Sequence, residues 1–62
     1  MKLQAFLKWQ GIADTGGQAK IAIQSGLVKV NGEVCTQRGH TLRDGDIVEI
    51  NGERYVYQTG SV

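Results

Sequence analysis

Two adjacent glycines and a lysine one turn later, Gly16-Gly17 and Lys20, are the residues whose types and spacing could bind an anion. Glycine costs up to about 1 kcal/mol relative to alanine inside a helix, so a pair at a helix start is unfavourable for structure alone. Without side chains there, a phosphate can approach the free first-turn amides, and the helix dipole adds to the attraction. A tight turn between helices would also need small residues. The sequence leaves both interpretations open.

A helix that would position these groups is predicted over about residues 16–25. Thr15 and Gln18 have the spacing of a capping box, in which each side chain accepts from a free backbone N–H of the first turn. Apolar residues then recur at helical spacing, at Ala19, Ala22 and Ile23. Gly26 suits the left-handed position that follows a helix end, so the helix is expected to stop just before it.

An earlier helix is predicted over residues 2–9, because Leu3, Phe6 and Leu7 lie at i, i+3, i+4 spacing. Isolated helices shorter than about 12 residues are marginal in water, so this helix needs the second one against it. The turn between them is predicted at residues 11–13, with Ile12 packed into the join.

Short strands are predicted in the second half of the chain. They cover residues 28–30, 33–35, 47–50 and 54–57. Asn31-Gly32 joins the first two strands and Asn51-Gly52 the last two, and this dipeptide is the strongest short signal for a tight hairpin turn.

A polar, non-periodic stretch at residues 36–43 separates the hairpins and is predicted as a loop that bends near Gly39. Two helices followed by three to five strands make one α+β domain over residues 1–62, and residues 58–62 are expected to form a frayed tail.

Taken in order, these residues resemble the alpha-L motif, the small RNA-binding domain first named from ribosomal protein S-four. The matching residues are the apolar spine Leu3, Phe6 and Leu7, the turn Gly11-Ile12-Ala13, Ala19 and Ile23, the hairpin residues Gly26, Val28, Val30 and Asn31-Gly32, and finally Leu42, Gly45-Asp46 and Ile47. The resemblance covers residues 3 to about 50. It is greatest to the free-standing, ribosome-associated bacterial proteins of about this size.

This resemblance implies two short N-terminal helices packed on a small, mostly antiparallel sheet of three to five strands. It also implies binding of structured RNA, with ribosomal RNA or a ribosome-associated particle as the target and ribosomal proteins as further partners. Many family members carry two arginines where this chain has Gly16 and Gly17, and a basic residue where it has Ala5. Binding would therefore depend more on lysines and backbone amides.

The candidate RNA-binding residues are basic residues, residues at the start of the predicted second helix, and their neighbours. They are Lys8, Thr15, Gly16, Gly17, Lys20, Gln24, Lys29 and Arg38. Lys20 and Gln24 lie four apart on the predicted second helix, and Arg38 lies in the polar loop. For any single lysine the ordinary alternative is a solvated surface charge.

The distribution of charge supports a basic helical half, although the net charge is only +1. Residues 1–32 contain four lysines and one aspartate, a balance of +3, whereas residues 33–62 contain three arginines and five acids, a balance of −2. Such an asymmetry would orient one face toward a polyanion.

The aromatic residues have two interpretations each. Trp9 is expected to be a partly buried anchor of a small core, and the alternative is a platform on which an unpaired base stacks. Tyr55 and Tyr57 alternate along the last strand and are expected to cover the edge of the core rather than bind bases.

Catalytic and metal-binding roles find little support in the sequence. It contains one histidine and one cysteine, with no nucleophile beside a base and no metal-ligand spacing, so neither an enzyme nor a cofactor is expected. No stretch is long and apolar enough for a signal peptide or a membrane span. We therefore expect a cytoplasmic, monomeric binding protein.

A second hypothesis is a protein-interaction module that kept this fold and lost most of its RNA affinity. The glycines at positions 16 and 17, the low net charge, and Ile21, which lies outside the apolar stripe of its helix, favour this alternative. DNA binding is a weaker third hypothesis, because no predicted element has the length and base-reading side chains of a recognition helix.

Overall fold

The computed structural model describes residues 1–58, which form two helices and a four-stranded sheet. The elements are α1 (Leu3–Trp9), α2 (Gly16–Gln24), β1 (Val28–Val30), β2 (Glu33–Val34), β3 (Ile47–Ile50) and β4 (Glu53–Val56). All three pairings are antiparallel, in the order β2-β1-β3-β4. The predicted α+β class is confirmed. Of the predicted tail, only Gln58 lies within the described residues.

Side-chain and backbone caps fix both ends of α2. Thr15 Oγ1 accepts from the Gln18 N–H at 3.1 Å, as the capping box predicts, but Gln18 Oε1 accepts from the Asp14 N–H, one residue before the expected donor. At the other end Gly26 has φ +80°, and the N–H groups of Gly26 and Leu27 donate to the last turn, as in a Schellman motif. The helix boundaries are therefore set locally.

Both Asn-Gly dipeptides form the predicted hairpin turns. Asn31 and Asn51 have φ 54°, and the glycines that follow them also have positive φ. Two consecutive residues with positive φ define the type I′ turn, whose twist matches that of paired strands. The register between β1 and β2, and between β3 and β4, follows from these turns.

The hydrophobic core lies between the two helices and the inner face of the sheet. Its fully buried large side chains are Phe6, Leu3, Leu7, Ile23, Val28 and Val48. Tyr57 is buried with its ring edge-on to Phe6 at 5.7 Å between centroids, and Tyr55 packs against the core. The prediction that the tyrosines cover the core is therefore confirmed.

The expectation that Trp9 is a partly buried anchor is wrong, since this side chain is 70% exposed. Leu7 points into the core, and Trp9 lies two residues further on, about 200° around the helix. Among residues 1–58, its only ring contact is with Phe6, at 6.5 Å between centroids.

The loop at residues 36–43 is tied to the N-terminus of α1. The Leu3 N–H donates to the His40 carbonyl at 2.8 Å, and the Gln4 N–H donates to the Arg38 carbonyl at 3.2 Å. The Leu42 N–H donates to the Met1 carbonyl at 2.8 Å. The first two of these bonds use the Leu3 and Gln4 amides of the first turn of α1, so these two amides are not available to an anion.

A small polar network connects the β1–β2 turn to the start of β3. Asp46 accepts from the Asn31 side-chain amide at 3.1 Å and from the Arg43 N–H at 2.9 Å. Asn31 Oδ1 in turn accepts from the Ile47 N–H at 3.0 Å. The Arg43 N–H, followed by the Asn31 amide, lowers the pKa of the Asp46 carboxyl below its ordinary value.

We predict that Asp46→Asn lowers the urea midpoint of unfolding at pH 7, because an amide cannot accept both hydrogen bonds. Since the pKa of Asp46 is lowered by folding, its stabilisation is complete above the ordinary pKa of 3.8 and is lost as the pH falls through the lowered value. The gap to the wild type should therefore close in acid. Glu33→Gln, at an exposed carboxylate on β2, is the control. An equal gap at pH 7 and in acid would contradict this role.

Candidate nucleic-acid interface

The two glycines at the start of α2 have different surroundings. A Cβ on Gly16 would lie 3.0 Å from Gln4 Nε2 on α1, so the helices approach closely at this position. A Cβ on Gly17 would meet only Thr15 Oγ1, at 3.7 Å. The flexible end of the Gln4 side chain thus lies against Gly16, as the tight-turn interpretation favours, whereas Gly17 has no such neighbour on α1.

The first-turn amides of α2 are open to solvent on the Gly17 side. Thr15 Oγ1 is occupied by the Gln18 N–H, and within residues 1–58 no side chain caps the N–H groups of Gly16 and Gly17. The first turn of α2 consists of these two glycines and Gln18, and it contains no acidic residue. The positive end of the helix dipole therefore meets no anionic side chain of this turn.

Two rows of polar residues extend from the contact between Gln4 and Gly16. On α2, Lys20 and Gln24 follow Gly16 at intervals of four, and both are exposed. On α1, the exposed Lys8 follows Gln4 at the same interval. We call this the two-helix surface, and it consists of Gln4, Lys8, Gly16, Gly17, Lys20 and Gln24.

The loop at residues 36–43 adds Arg38 beside α1. A concavity of about 830 Å³ lies between this loop and the helix, and its walls include Lys2, Gln4, Lys8, Trp9, Arg38 and Gly39. We call it the Trp9 concavity. The structure therefore places Lys8 and Arg38 on the walls of one concavity.

Sequence reasoning did not include Lys2, Gln4 or Trp9 of this region in the candidate set. A signal was present for Trp9, because it falls outside the i, i+3, i+4 stripe formed by Leu3, Phe6 and Leu7. No sequence signal placed Lys2 beside Arg38, because the two segments are brought together by backbone hydrogen bonds and by the bridge between Lys2 and Thr41.

Lys29 lies apart from the other candidate residues. Val28 and Val30 are buried, so Lys29 is on the outer face of the sheet, away from the helices. Its register partner on β3 is Glu49, whose partner on β4 is Arg54. Charges of opposite sign thus alternate on this face, whereas the two-helix surface contains no carboxylate.

The cations of the two-helix surface are not engaged within the fold. Among residues 1–58, the side chains of Lys8, Lys20 and Arg38 make no hydrogen bond or ion pair. Their charges are therefore available to a ligand. Within the same range no group of three His, Cys, Asp or Glu side chains could hold a metal ion, and no helix is long and apolar enough to cross a bilayer.

Comparison with known proteins decides the family. Residues 1–57 match the family model described as the S4 domain. The chain belongs to the S4 domain family. Over 52 residues it is 40% identical to "Putative RNA-binding protein YbcJ" of Escherichia coli (strain K12), a match that covers 84% of this chain and 74% of that protein.

Two further S4-domain comparisons are informative. The chain is 42% identical over 50 residues to "Probable ribosome maturation protein RlbA" of Bacillus subtilis (strain 168), with 81% of this chain and 70% of that protein covered. The crystal structure of the 30S ribosomal protein S4e from Thermoplasma acidophilum matches with a TM-score of 0.66 and 31% identity, over 87% of this chain. The match spans only 27% of that longer chain, so this fold occurs there as a small part.

We predict that Gly17→Ala stabilises the protein by about 0.4–1 kcal/mol, because the added Cβ would make only an ordinary van der Waals contact with Thr15 Oγ1 and the unfolded chain loses conformational freedom. Gly16→Ala should gain less or destabilise, because its Cβ would force the Gln4 side chain to move. Urea unfolding followed by circular dichroism measures both. Equal stabilisation by the two variants would show that the contact between α1 and α2 does not require Gly16.

Proposed function

We propose that this S4 domain binds structured RNA without catalysing a reaction, and that its target is ribosomal RNA or a ribosome-associated particle. The observation that carries the proposal is the two-helix surface, where uncapped first-turn amides lie beside cations that no carboxylate neutralises. The printed names of the YbcJ and RlbA relatives, which mention RNA binding and ribosome maturation, support the same class of ligand.

In this proposal the RNA backbone runs along the two helices. A phosphate approaches the amides of Gly16 and Gly17, while Thr15 keeps the first turn of α2 in place. Lys20 and Lys8 neutralise neighbouring phosphates, and Gln24 donates a hydrogen bond to the sugar–phosphate backbone. Arg38 supplies a second point of contact from the loop.

Lys29 would make only an outlying contact with the RNA. An RNA bound to the helices would reach it by extending around the domain to the outer sheet face, where Glu49 offsets its charge. We further propose that the protein acts as a cytoplasmic monomer with ribosomal proteins as neighbours. So few cations give weak binding alone, which suits docking on a larger RNA–protein surface.

We predict a steep salt dependence for a ribosomal RNA fragment. With about four phosphate contacts, log affinity should fall against log salt with a slope of about −3 to −4, and Lys20→Gln should reduce that slope by about 1. Arg54→Gln, which removes an exposed cation from the outer sheet face, is the control and should leave the slope unchanged. Fluorescence anisotropy between 50 and 200 mM salt measures each variant.

Equal slopes for the wild type and Lys20→Gln would contradict the proposed phosphate contact. The competing function is a protein-interaction module, and its supporting observation is Ile21, which is 66% exposed on α2. Ribosome association that is insensitive to salt, and that Ile21→Asp abolishes while Lys20→Gln does not, would favour that function.

A further inference from the structure

The Trp9 concavity has features that binding of phosphates along the helices does not explain. Its wall includes an indole that is 70% exposed, although scattered apolar side chains on a surface are normal and exposure alone carries little weight. The second observation concerns the residues around this indole. Three cationic residues, Lys2, Lys8 and Arg38, line the same concavity, and no carboxylate does.

The backbone beside this concavity is held in place before any ligand arrives. Bonds from the Leu3 and Gln4 N–H groups to the loop carbonyls fix the backbone of Arg38 against α1. The bridge to Thr41 fixes Lys2 in the same way. The Trp9 ring packs next to the buried ring of Phe6, with an angle of 45° between the ring planes. Such preorganisation lowers the entropic cost of binding.

The chemistry of these walls selects the occupant. A paired RNA stem presents phosphates but no base face, so it would use the cations and leave the indole without a partner. An apolar peptide would use the indole and leave three cations without counter-charges. An unpaired nucleotide uses both, because its base stacks on an aromatic ring while the adjoining phosphates meet the cations.

We propose that the Trp9 concavity binds a single unpaired nucleotide of the RNA, from a bulge or loop next to the stem that lies on the two-helix surface. The base stacks on Trp9, and Lys2, Lys8 and Arg38 meet the phosphates on either side. Because stacking engages the face common to all bases, the site selects an unstacked nucleotide rather than a particular base. This inference rests on the proposed RNA binding and assigns a recognition role within it.

Trp9 is the only tryptophan of the chain, so its fluorescence reports this site directly. The test uses two RNA hairpins that are identical except that one carries a single unpaired adenosine in its stem. Anisotropy of a dye on the RNA gives the affinity for each hairpin, and quenching of the tryptophan emission reports stacking. The variants are Trp9→Ala and Trp9→Phe, with Val56→Ala, at an exposed apolar residue of β4, as the control.

We expect the bulged hairpin to quench Trp9 and to bind roughly 5- to 100-fold more tightly than the paired one. Trp9→Ala should remove this preference while leaving the affinity for the paired hairpin unchanged, and Trp9→Phe should keep part of it. Val56→Ala should behave as the wild type does.

Two results would overturn the inference, and they differ in what they leave standing. If both hairpins bind equally tightly without quenching Trp9, the nucleotide site is refuted while RNA binding by the helices stands. If neither hairpin binds at low salt, the proposed function and the nucleotide site both fail.

Discussion

Packing around the Phe6 ring is the interaction on which the rest of the structure depends. A chain of 62 residues with one cysteine has no internal disulfide, and a domain of this size buries only roughly 60% of its unfolded surface. Phe6 is fully buried and contacts Tyr57 from the end of the sheet and Trp9 from the end of α1. The same ring therefore joins the helices to the sheet and supports the exposed indole.

The fold separates its two surfaces by charge as well as by position. The outer sheet face alternates Lys29, Glu49 and Arg54 across three strands, so its net field is small. On the helical side, Lys8 and Lys20 form no ion pair within residues 1–58, and no side chain caps the N–H groups of Gly16 and Gly17. A chain with a net charge of only +1 can thus present one cationic face to a polyanion.

Local signals made most of the fold predictable, whereas the site depended on contacts between distant segments. Thr15, Gly26 and the two Asn-Gly turns act within a few residues, so the sequence was enough to place the hairpins, and it placed the element boundaries to within one residue. The approach of Arg38 to α1 depends on backbone hydrogen bonds across more than 30 residues, which no residue pattern encodes. Trp9 was misassigned because a general preference for buried aromatic residues outweighed its position on the helix.

Amide chemical shifts in a ribosomal RNA titration test most directly whether RNA binds at the start of α2. We expect the largest shifts at the Gly16 and Gly17 amides, with further changes at Lys20 and Lys8, and we expect about 200 mM salt to suppress them. Shifts that are confined to Lys29, Glu49 and Arg54 on the outer sheet face would contradict this expectation.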